Sequence, residues 1–313
     1  MNTHKMKTAY VMAFILFGFL LSTTTTSAQG LIDGFYSPKG NVALTASYTG
    51  AAYDEFYVGE EKTGPVPAHN KITQDILTLY AKFGLTDKLT IVLNAPYISA
   101  KGEGDLDPVS GNTKESGFQD LGIAAKYMPF SAAFTGGKLD GIASLGFGIP
   151  TGYKSNSILS IGNGAFSTNL HVGGHLQLNQ GFFTTLVAGY SLRGKTADSF
   201  NVNNGNDFDV PNAFLAAAKL GYASSKFYAE LWLDHQSTSS EGVDIMGPGF
   251  MGNFPETKVD YTRLGVSAYV PITPVVGLSA GYGTVLNGRN IGAANYFNAG
   301  VTLSFNTASK STM

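Results

Sequence analysis

Residues 169–193 read NLHVGGHLQLNQGFFTTLVAGYSLR, two runs of alternating side chains joined by a short turn. Apolar residues such as Leu170 and Val172 occupy one set of alternate positions, and polar or small residues occupy the other. A period of two is typical of a β-strand with one apolar and one polar face. Because the turn at 179–181 is short enough to join antiparallel neighbours, this stretch predicts a β-hairpin.

The same alternation recurs along the chain and predicts twelve strands between residues 41 and 305. Each strand has about the length that crosses a bilayer at a tilt, for which roughly 9–11 residues suffice. The connections alternate in length. Short turns lie at 85–88, 129–137, 179–181, 223–226 and 271–274, and long polar loops lie at 50–71, 99–116, 151–165, 195–211, 237–257 and 286–294. Short periplasmic turns and long outer loops are typical of a transmembrane barrel.

The composition also favours contact with lipid. Charged residues make up 13% of the 313 residues, about half the share usual in soluble domains. A net charge of −2 gives no indication of a nucleic-acid partner. The absence of cysteine excludes a disulfide framework, a thiolate metal site and a cysteine nucleophile.

The predicted fold is therefore all-β, a transmembrane antiparallel up-and-down β-barrel of twelve strands. The barrel must close, because an open sheet edge in lipid leaves backbone groups unpaired. Aromatic residues on the apolar faces lie near both strand ends, as expected at membrane interfaces. They are Phe83, Tyr127, Tyr222, Phe227 and Phe305 beside the short turns, and Tyr48, Tyr97, Phe147, Tyr190 and Tyr282 nearer the long loops. A soluble β-sandwich is the alternative fold.

Two acidic residues fit this pattern poorly. Asp75 and Asp260 share the outward positions of their strands. Both lie at loop ends, so we expect them either to sit above the hydrocarbon or to follow a β-bulge that shifts the register.

The N-terminus predicts export. Two lysines, the apolar run at 9–21 and small residues around Ala28 are typical of a signal peptide over residues 1–28. A membrane anchor is the alternative, but it would need about 20 apolar residues. Residues 29–40 would then be a short periplasmic segment, too short for a large plug, and 306–313 a polar tail. The expected location is the bacterial outer membrane, with its lipids and the barrel-insertion machinery as partners.

Three motifs suggest chemistry that their surroundings do not support. Residues 189–196 match the phosphate-binding pattern G-x-x-x-x-G-K-[ST], but no helical pattern follows. Ser279 lies in a G-x-S-x-G match that falls in mid-strand. His171 and His175 would lie about 13 Å apart on a strand, too far to share a metal ion easily. The sequence thus predicts no cofactor, metal site or catalytic residue.

Polar side chains on the inner face are the candidates for contact with a solute. They are Asp120, Lys126, His171, His175, Arg193, Lys219, Glu230, Trp232, Asp234 and Arg263. Lys219 and Glu230 flank a short turn symmetrically, as do Lys126 and Asp140, so cross-strand ion pairs are expected. These charges either close the lumen or line a pore and tune its selectivity, and the sequence leaves both open.

Three stretches resemble a known family: GLTDKLTIVLNAPY (84–97), GFQDLGIAAKY (117–127) and GFGIPTG (146–152). They are similar to outer-membrane proteins of the putative MetA-pathway of phenol degradation family, which is similar in turn to the FadL/TodX-like channels for hydrophobic compounds. The resemblance implies transport rather than one particular substrate.

The leading functional prediction is passive uptake of a small solute. A finer prediction is that this solute is aromatic or otherwise hydrophobic. Loop aromatics would offer the first apolar surface: Tyr57, Phe200, Phe208, Phe250 and Phe254. One alternative is a barrel enzyme acting on membrane lipid, which the inward direction of His171 and His175 disfavours. Another is a closed structural or adhesive barrel. The sequence gives no indication of the oligomeric state.

Overall fold

The computed structural model describes residues 33–155, 157–239, 242–247 and 257–307. The expected signal peptide, the loop residues Phe250 and Phe254, and the tail from residue 308 onward lie outside the described residues. The described residues contain no helix that is long and apolar enough to cross a membrane.

Twelve antiparallel strands form one closed barrel, which confirms the predicted fold and strand number. The strands are β1 (Asn41–Tyr53), β2 (Ile72–Thr86), β3 (Leu89–Gly102), β4 (Lys114–Phe118, continued by Leu121–Tyr127), β5 (Gly137–Ile149), β6 (Ser167–Leu178), β7 (Phe182–Arg193), β8 (Ala213–Ala223), β9 (Tyr228–Thr238), β10 (Asp260–Pro271), β11 (Val276–Arg289) and β12 (Asn295–Asn306). Each pairs with the next along the chain, and β12 pairs with β1. Every described strand of the wall thus pairs with a neighbour on each side, as a lipid environment requires, except that the first segment of β4, Lys114–Phe118, pairs with β3 alone.

Alternate residues of each strand face opposite sides of the wall. Leu79 and Val172 are 63% and 65% exposed on the outside, whereas Thr45 is buried on the inside and hydrogen-bonds to Thr302 across the closing pair of strands. One continuous sheet with exposed apolar side chains and buried polar ones is the reverse of a soluble sandwich. Nine of the ten predicted interface aromatics are exposed, and Tyr222 packs half-buried between Phe182 and Phe227.

The two outward aspartates have separate explanations. The Tyr48 hydroxyl donates to the Asp75 carboxylate at 2.5 Å, and the pairing of β2 around Asp75 is regular. Near Asp260, β10 and β11 shift register between Thr262 and Arg263, so the expected irregularity is present there. Asp260 accepts hydrogen bonds from the backbone and hydroxyl of Thr238.

The nucleotide-binding and nucleophile motifs lack the local structure that their chemistry needs. After Gly194 the chain forms a small hairpin, in which Lys195–Thr196 pairs with Phe208–Asp209. No helix begins between residues 194 and 212, all of which the structure describes. Ser279 lies within β11, on its inner face. Both matches are therefore coincidental.

Candidate functional site

The described start of the chain enters the barrel at the end that carries the short turns. We call residues 33–38 the N-terminal plug. Asp33 is 1% exposed, and its carboxylate accepts hydrogen bonds from Lys82 and Lys126, each at 2.8 Å. These lysines lie on the inner faces of β2 and β4. The sequence predicts only a short periplasmic segment at 29–40, and the structure places its described part within this end of the barrel.

The plug continues across the lumen through Phe35. The Phe35 carbonyl accepts hydrogen bonds from Lys126 at 2.7 Å and Lys82 at 3.1 Å. The Phe35 ring centroid lies 4.6 Å from that of His175, 5.2 Å from Phe183 and 5.7 Å from Tyr228, which belong to β6, β7 and β9. The plug therefore bridges opposite parts of the wall, with charged contacts on one side and aromatic contacts on the other.

Two glycines permit this close approach. A Cβ atom at Gly34 would lie 2.0 Å from Nδ1 of His175, and one at Gly84 would lie 2.0 Å from the carbonyl oxygen of Pro38. Neither position can carry a side chain unless the plug moves.

The plug depends on an ionised carboxylate. Burial alone would raise the pKa of Asp33, but the ammonium groups of Lys126 and Lys82 outweigh burial and hold this pKa well below its ordinary value. A group whose pKa is lower in the bound state contributes stability above its ordinary pKa, and that stability is lost as the pH falls through the lowered value.

We therefore expect the plug to stay in place on acidification. The ordinary pKa of an aspartate is about 3.9, so the stabilisation should be fully present down to about pH 4. Ionic current through the barrel in a planar bilayer should stay at its neutral-pH level as the pH is lowered to that point, with Asp33→Ala as the permanently released control. A current that rises already near pH 5 would show that the carboxylate is not held by the two lysines.

Of the two ion pairs predicted at the short-turn end, one is confirmed. Lys219 and Glu230 pair across β8 and β9 at 3.2 Å, as expected. The expected pairing of Lys126 with Asp140 is wrong, because Asp33 takes Lys126 and Asp140 instead binds Lys138 at 2.8 Å. The competing partner lies far away in the sequence, so strand alternation could not reveal it.

Other candidates form polar contacts along the inner face. Arg263 makes a two-point pair with Asp234, with its Nε atom 3.1 Å from the carboxylate. Arg193 donates from Nη2 to Gln236 at 2.6 Å. Asp120 accepts a hydrogen bond from the Tyr153 hydroxyl at 2.7 Å. Ion pairs and hydrogen bonds thus hold these groups in fixed orientations along the lumen.

The three histidines that lie in strands occupy different surroundings. His175 is 1% exposed, its Nδ1 atom lies 2.7 Å from Thr185 Oγ1, and its buried Nε2 atom has no hydrogen-bond partner among the described residues. The Nδ1 atom of His171 is likewise buried without a described partner. His235, which the sequence analysis did not single out, lies on the outward positions of β9, with Nδ1 2.9 Å from Thr262 Oγ1. No two of these three are strand neighbours.

A cavity of about 500 Å³ lies between the plug and the wall at the short-turn end. Its lining includes the aromatic Phe35 and Tyr36, the polar Asp140 and His175, and Met128. Tyr36 donates its hydroxyl to the carbonyls of Tyr127 and Gly141, which fixes the plug beside this space.

The opposite end of the barrel is covered by its own long loops. Val66, Ile98, Leu159 and Ile161 form a buried apolar cluster that joins the loops after β1 and β5 to the tops of β2 and β3. On the other side Arg289 binds both Asp244 and Glu60. These contacts connect the long loops to one another.

The expected apolar entry surface of the loops is only partly present. Tyr57 and Phe208 are both 8% exposed, so the prediction that they offer free apolar surface is wrong. Tyr57 instead donates its hydroxyl to the Leu286 carbonyl and thereby attaches its loop to β11. Phe200 is half-buried beneath the ammonium group of Lys154.

Sequence reasoning missed the most strongly bound residues of the site. Lys82 occupies an inward position of β2. The alternating pattern of that strand alone could have identified it as a lumen residue. Asp33 precedes the first strand, where no periodicity operates, so its position depends entirely on the tertiary fold.

A family model described as "Putative MetA-pathway of phenol degradation" matches residues 68–306 of the chain. No curated protein matches the sequence. Among solved structures, the COG4313 outer membrane channel from Pseudomonas putida F1 superimposes with a TM-score of 0.69 at 18% identity, over 89% of this chain and 100% of that one. This likeness shows a shared barrel fold.

Two more distant barrels have lower scores. The translocator domain of the autotransporter NalP from Neisseria meningitidis has a TM-score of 0.45 at 14% identity, over 86% of this chain and 90% of that one. A TodX deletion mutant, a monoaromatic hydrocarbon channel, has a TM-score of 0.42 at 9% identity, over 86% and 91%.

Proposed function

We propose, since this chain belongs to the Putative MetA-pathway of phenol degradation family of outer-membrane channels, that it admits small aromatic or otherwise hydrophobic solutes by passive uptake. The observation that carries the proposal is the lumen itself. Its inner face combines half-buried aromatic, amide and paired charged side chains with two histidines, each of which has one buried ring nitrogen without a described partner. Such a wall offers both apolar contact and hydrogen bonds to a small ring that carries one polar group.

The N-terminal plug and the loop cover define where passage is controlled. With the short turns facing the periplasm, a solute enters between the long loops and leaves past the plug. The cavity beside Phe35 and His175 would be the last space that it occupies before release. Movement of the plug, rather than of the wall, would then be the gating step, because the wall is a closed sheet.

Charged pairs at several heights along the barrel axis are better suited to selecting a solute than to closing the lumen. The pairs Lys219–Glu230 and Asp234–Arg263 are each bound to a neighbour on the adjacent strand, and so they lie along the wall. We expect the partly exposed Asp234–Arg263 pair to orient polar groups of the solute, whereas the buried Lys219–Glu230 pair holds β8 and β9 together.

Entry into liposomes tests this function. Vesicles with lipopolysaccharide in the outer leaflet and the purified barrel should take up radiolabelled phenol faster than protein-free vesicles. Arabinose is the polar comparison. If the barrel accelerated the uptake of arabinose but not that of phenol, it would be a general pore. If the barrel accelerated the uptake of neither solute, a closed structural barrel would be favoured. The plug and the long loops would then account for its closure.

A further inference from the structure

Four residues lie side by side across four neighbouring strands on the inner wall. Trp232 of β9 pairs with Gly265 of β10, Gly265 pairs with Gly283 of β11, and Gly283 pairs with Tyr296 of β12. Direct cross-strand partners share one face of the sheet and lie about 5 Å apart. The row therefore has an aromatic ring at each end and two positions without side chains between them.

Both rings lie flat over the glycines. A Cβ atom at Gly265 would lie 2.2 Å from Cζ2 of Trp232, and one at Gly283 would lie 2.5 Å from Cε2 of Tyr296. The two ring centroids are 6.3 Å apart and the planes differ by 22°. The side chains thus lean toward each other and cover the bare backbone, and one face of each ring is used for that contact.

The other faces of the rings border the lumen. Both side chains occupy inward strand positions and are half-buried, so they are not covered by other parts of the wall. Trp232 donates its Nε1 hydrogen to Ser267 at 3.0 Å, which holds the indole in place. The Oη atom of Tyr296 is buried and has no described hydrogen-bond partner. We call these two rings the aromatic panel.

Polar groups border the panel on both sides along the barrel axis. The Asp234–Arg263 pair lies one inward position nearer the long loops, and Glu230 and Ser267 lie one inward position nearer the short turns. A ligand on the panel would therefore have an apolar flat face beneath it and hydrogen-bonding groups at its edges.

We propose that the aromatic panel is a stacking site for one flat aromatic ring that carries a single polar substituent, an assignment that rests on the proposed uptake function. Aromatic rings favour offset parallel contact, which two side-chain rings with nearly parallel planes can provide to a flat ligand. A puckered saturated ring of the same size touches such a surface at fewer atoms. The panel therefore discriminates by shape as well as by hydrophobicity.

The chain supplies its own probe, because Trp232 is its single tryptophan. Nitrobenzene, a flat quencher of indole fluorescence, should quench Trp232 saturably in the purified full-length barrel. Nitrocyclohexane carries the same substituent on a puckered ring and should bind more weakly. From the usual strength of aromatic pairs, we expect the difference to be about three- to tenfold.

Variants of Tyr296 test the panel without removing the reporter. Tyr296→Leu should weaken nitrobenzene binding by about three- to tenfold, whereas Tyr296→Phe should preserve it, because the hydroxyl has no described partner. Phe297→Leu is the matched control on β12. Phe297 is the next residue along the strand and is exposed on the outer face, so its replacement should leave binding unchanged.

The site is overturned if Tyr296→Leu binds nitrobenzene as tightly as the parent, or if the two nitro compounds bind equally. It is also overturned if methyl glucoside displaces nitrobenzene, since the panel would then be a sugar site. Quenching requires no flux. Panel-dependent quenching without any solute entry would refute the proposed uptake alone, and entry without Tyr296-dependent quenching would refute the panel alone.

Discussion

Replacing Asp33 by alanine is expected to release the N-terminal plug from the lumen. The substitution leaves Lys82 and Lys126 buried with no carboxylate, and breaking a buried ion pair in this way costs about 3–5 kcal/mol. Since about 1.4 kcal/mol corresponds to a tenfold change, the released state should become more populated by roughly two to four orders of magnitude. The barrel wall should remain folded, because its strand pairing does not involve Asp33.

A single introduced thiol measures this release, because the chain has no cysteine. Ser37 is 8% exposed within the plug, so Ser37→Cys should react slowly with a membrane-impermeant maleimide and much faster when combined with Asp33→Ala. Asp87→Ala is the matched control. Its carboxylate accepts a hydrogen bond from the backbone of Lys39 at the surface, and the loss of that bond should change labelling only slightly.

A compensated variant separates charge from packing. Combining Asp33→Leu with Lys82→Met and Lys126→Met removes all three charges together, and such replacements of a buried ionic group are often neutral or stabilising. Labelling of Ser37→Cys should then return toward the slow rate of the parent. Equal labelling of the parent and Asp33→Ala would contradict the assignment of Asp33 as the anchor.

The second large effect is expected on the outside of the wall. Val172 is 65% exposed in the middle of β6, and Val172→Arg would place a charge against acyl chains. Such substitutions destabilise outer-membrane barrels by about 2–4 kcal/mol near the bilayer midplane. The free energy of unfolding from liposomes in urea should fall by that amount.

The adjacent residue supplies the control for this prediction. His171 belongs to the same strand and faces the lumen, so His171→Arg introduces the same side chain at nearly the same height on the opposite face. Its effect on the free energy of unfolding should be much smaller, because the new charge remains within reach of water. Equal destabilisation by both variants would contradict the division of the wall into lipid and lumen faces.

The alternating faces were predictable from the sequence because each strand repeats its signal over many residues. Leu170, Val172 and Leu176 fall on the outward face in the structure as the pattern requires. The number of strands and the closure follow from the same repetition, since lipid forbids an open edge. The register shift near Asp260 matches one of the two explanations expected there, since an outward carboxylate conflicts with an apolar outer face.

The interior contacts were less predictable because they join residues that no local pattern connects. Lys219 and Glu230 are cross-strand neighbours around a short turn, and their pairing could be read from spacing. Lys126 has an equally plausible neighbour in Asp140, yet it binds Asp33, 93 residues away. The aromatic panel likewise depends on β9 to β12 lying in register, because Trp232 and Tyr296 belong to strands that do not pair with each other directly.

The two ends of the lumen are held by different kinds of contact. The long-loop end is held by apolar packing, which does not depend on charge, and by the Arg289 pairs. The short-turn end depends on one carboxylate between two lysines. We therefore expect substitutions at the short-turn end to change solute passage more than comparable substitutions in the loops.

Ionic current through single barrels in a planar bilayer tests most directly whether the lumen is a passage that the plug controls. The two samples are the full chain and a variant in which residues 33–38 are replaced by a glycine–serine linker of equal length. We expect small or brief currents from the full chain and larger, sustained currents from the variant. An absence of current from both, with each protein shown to be folded in the bilayer, would contradict this expectation.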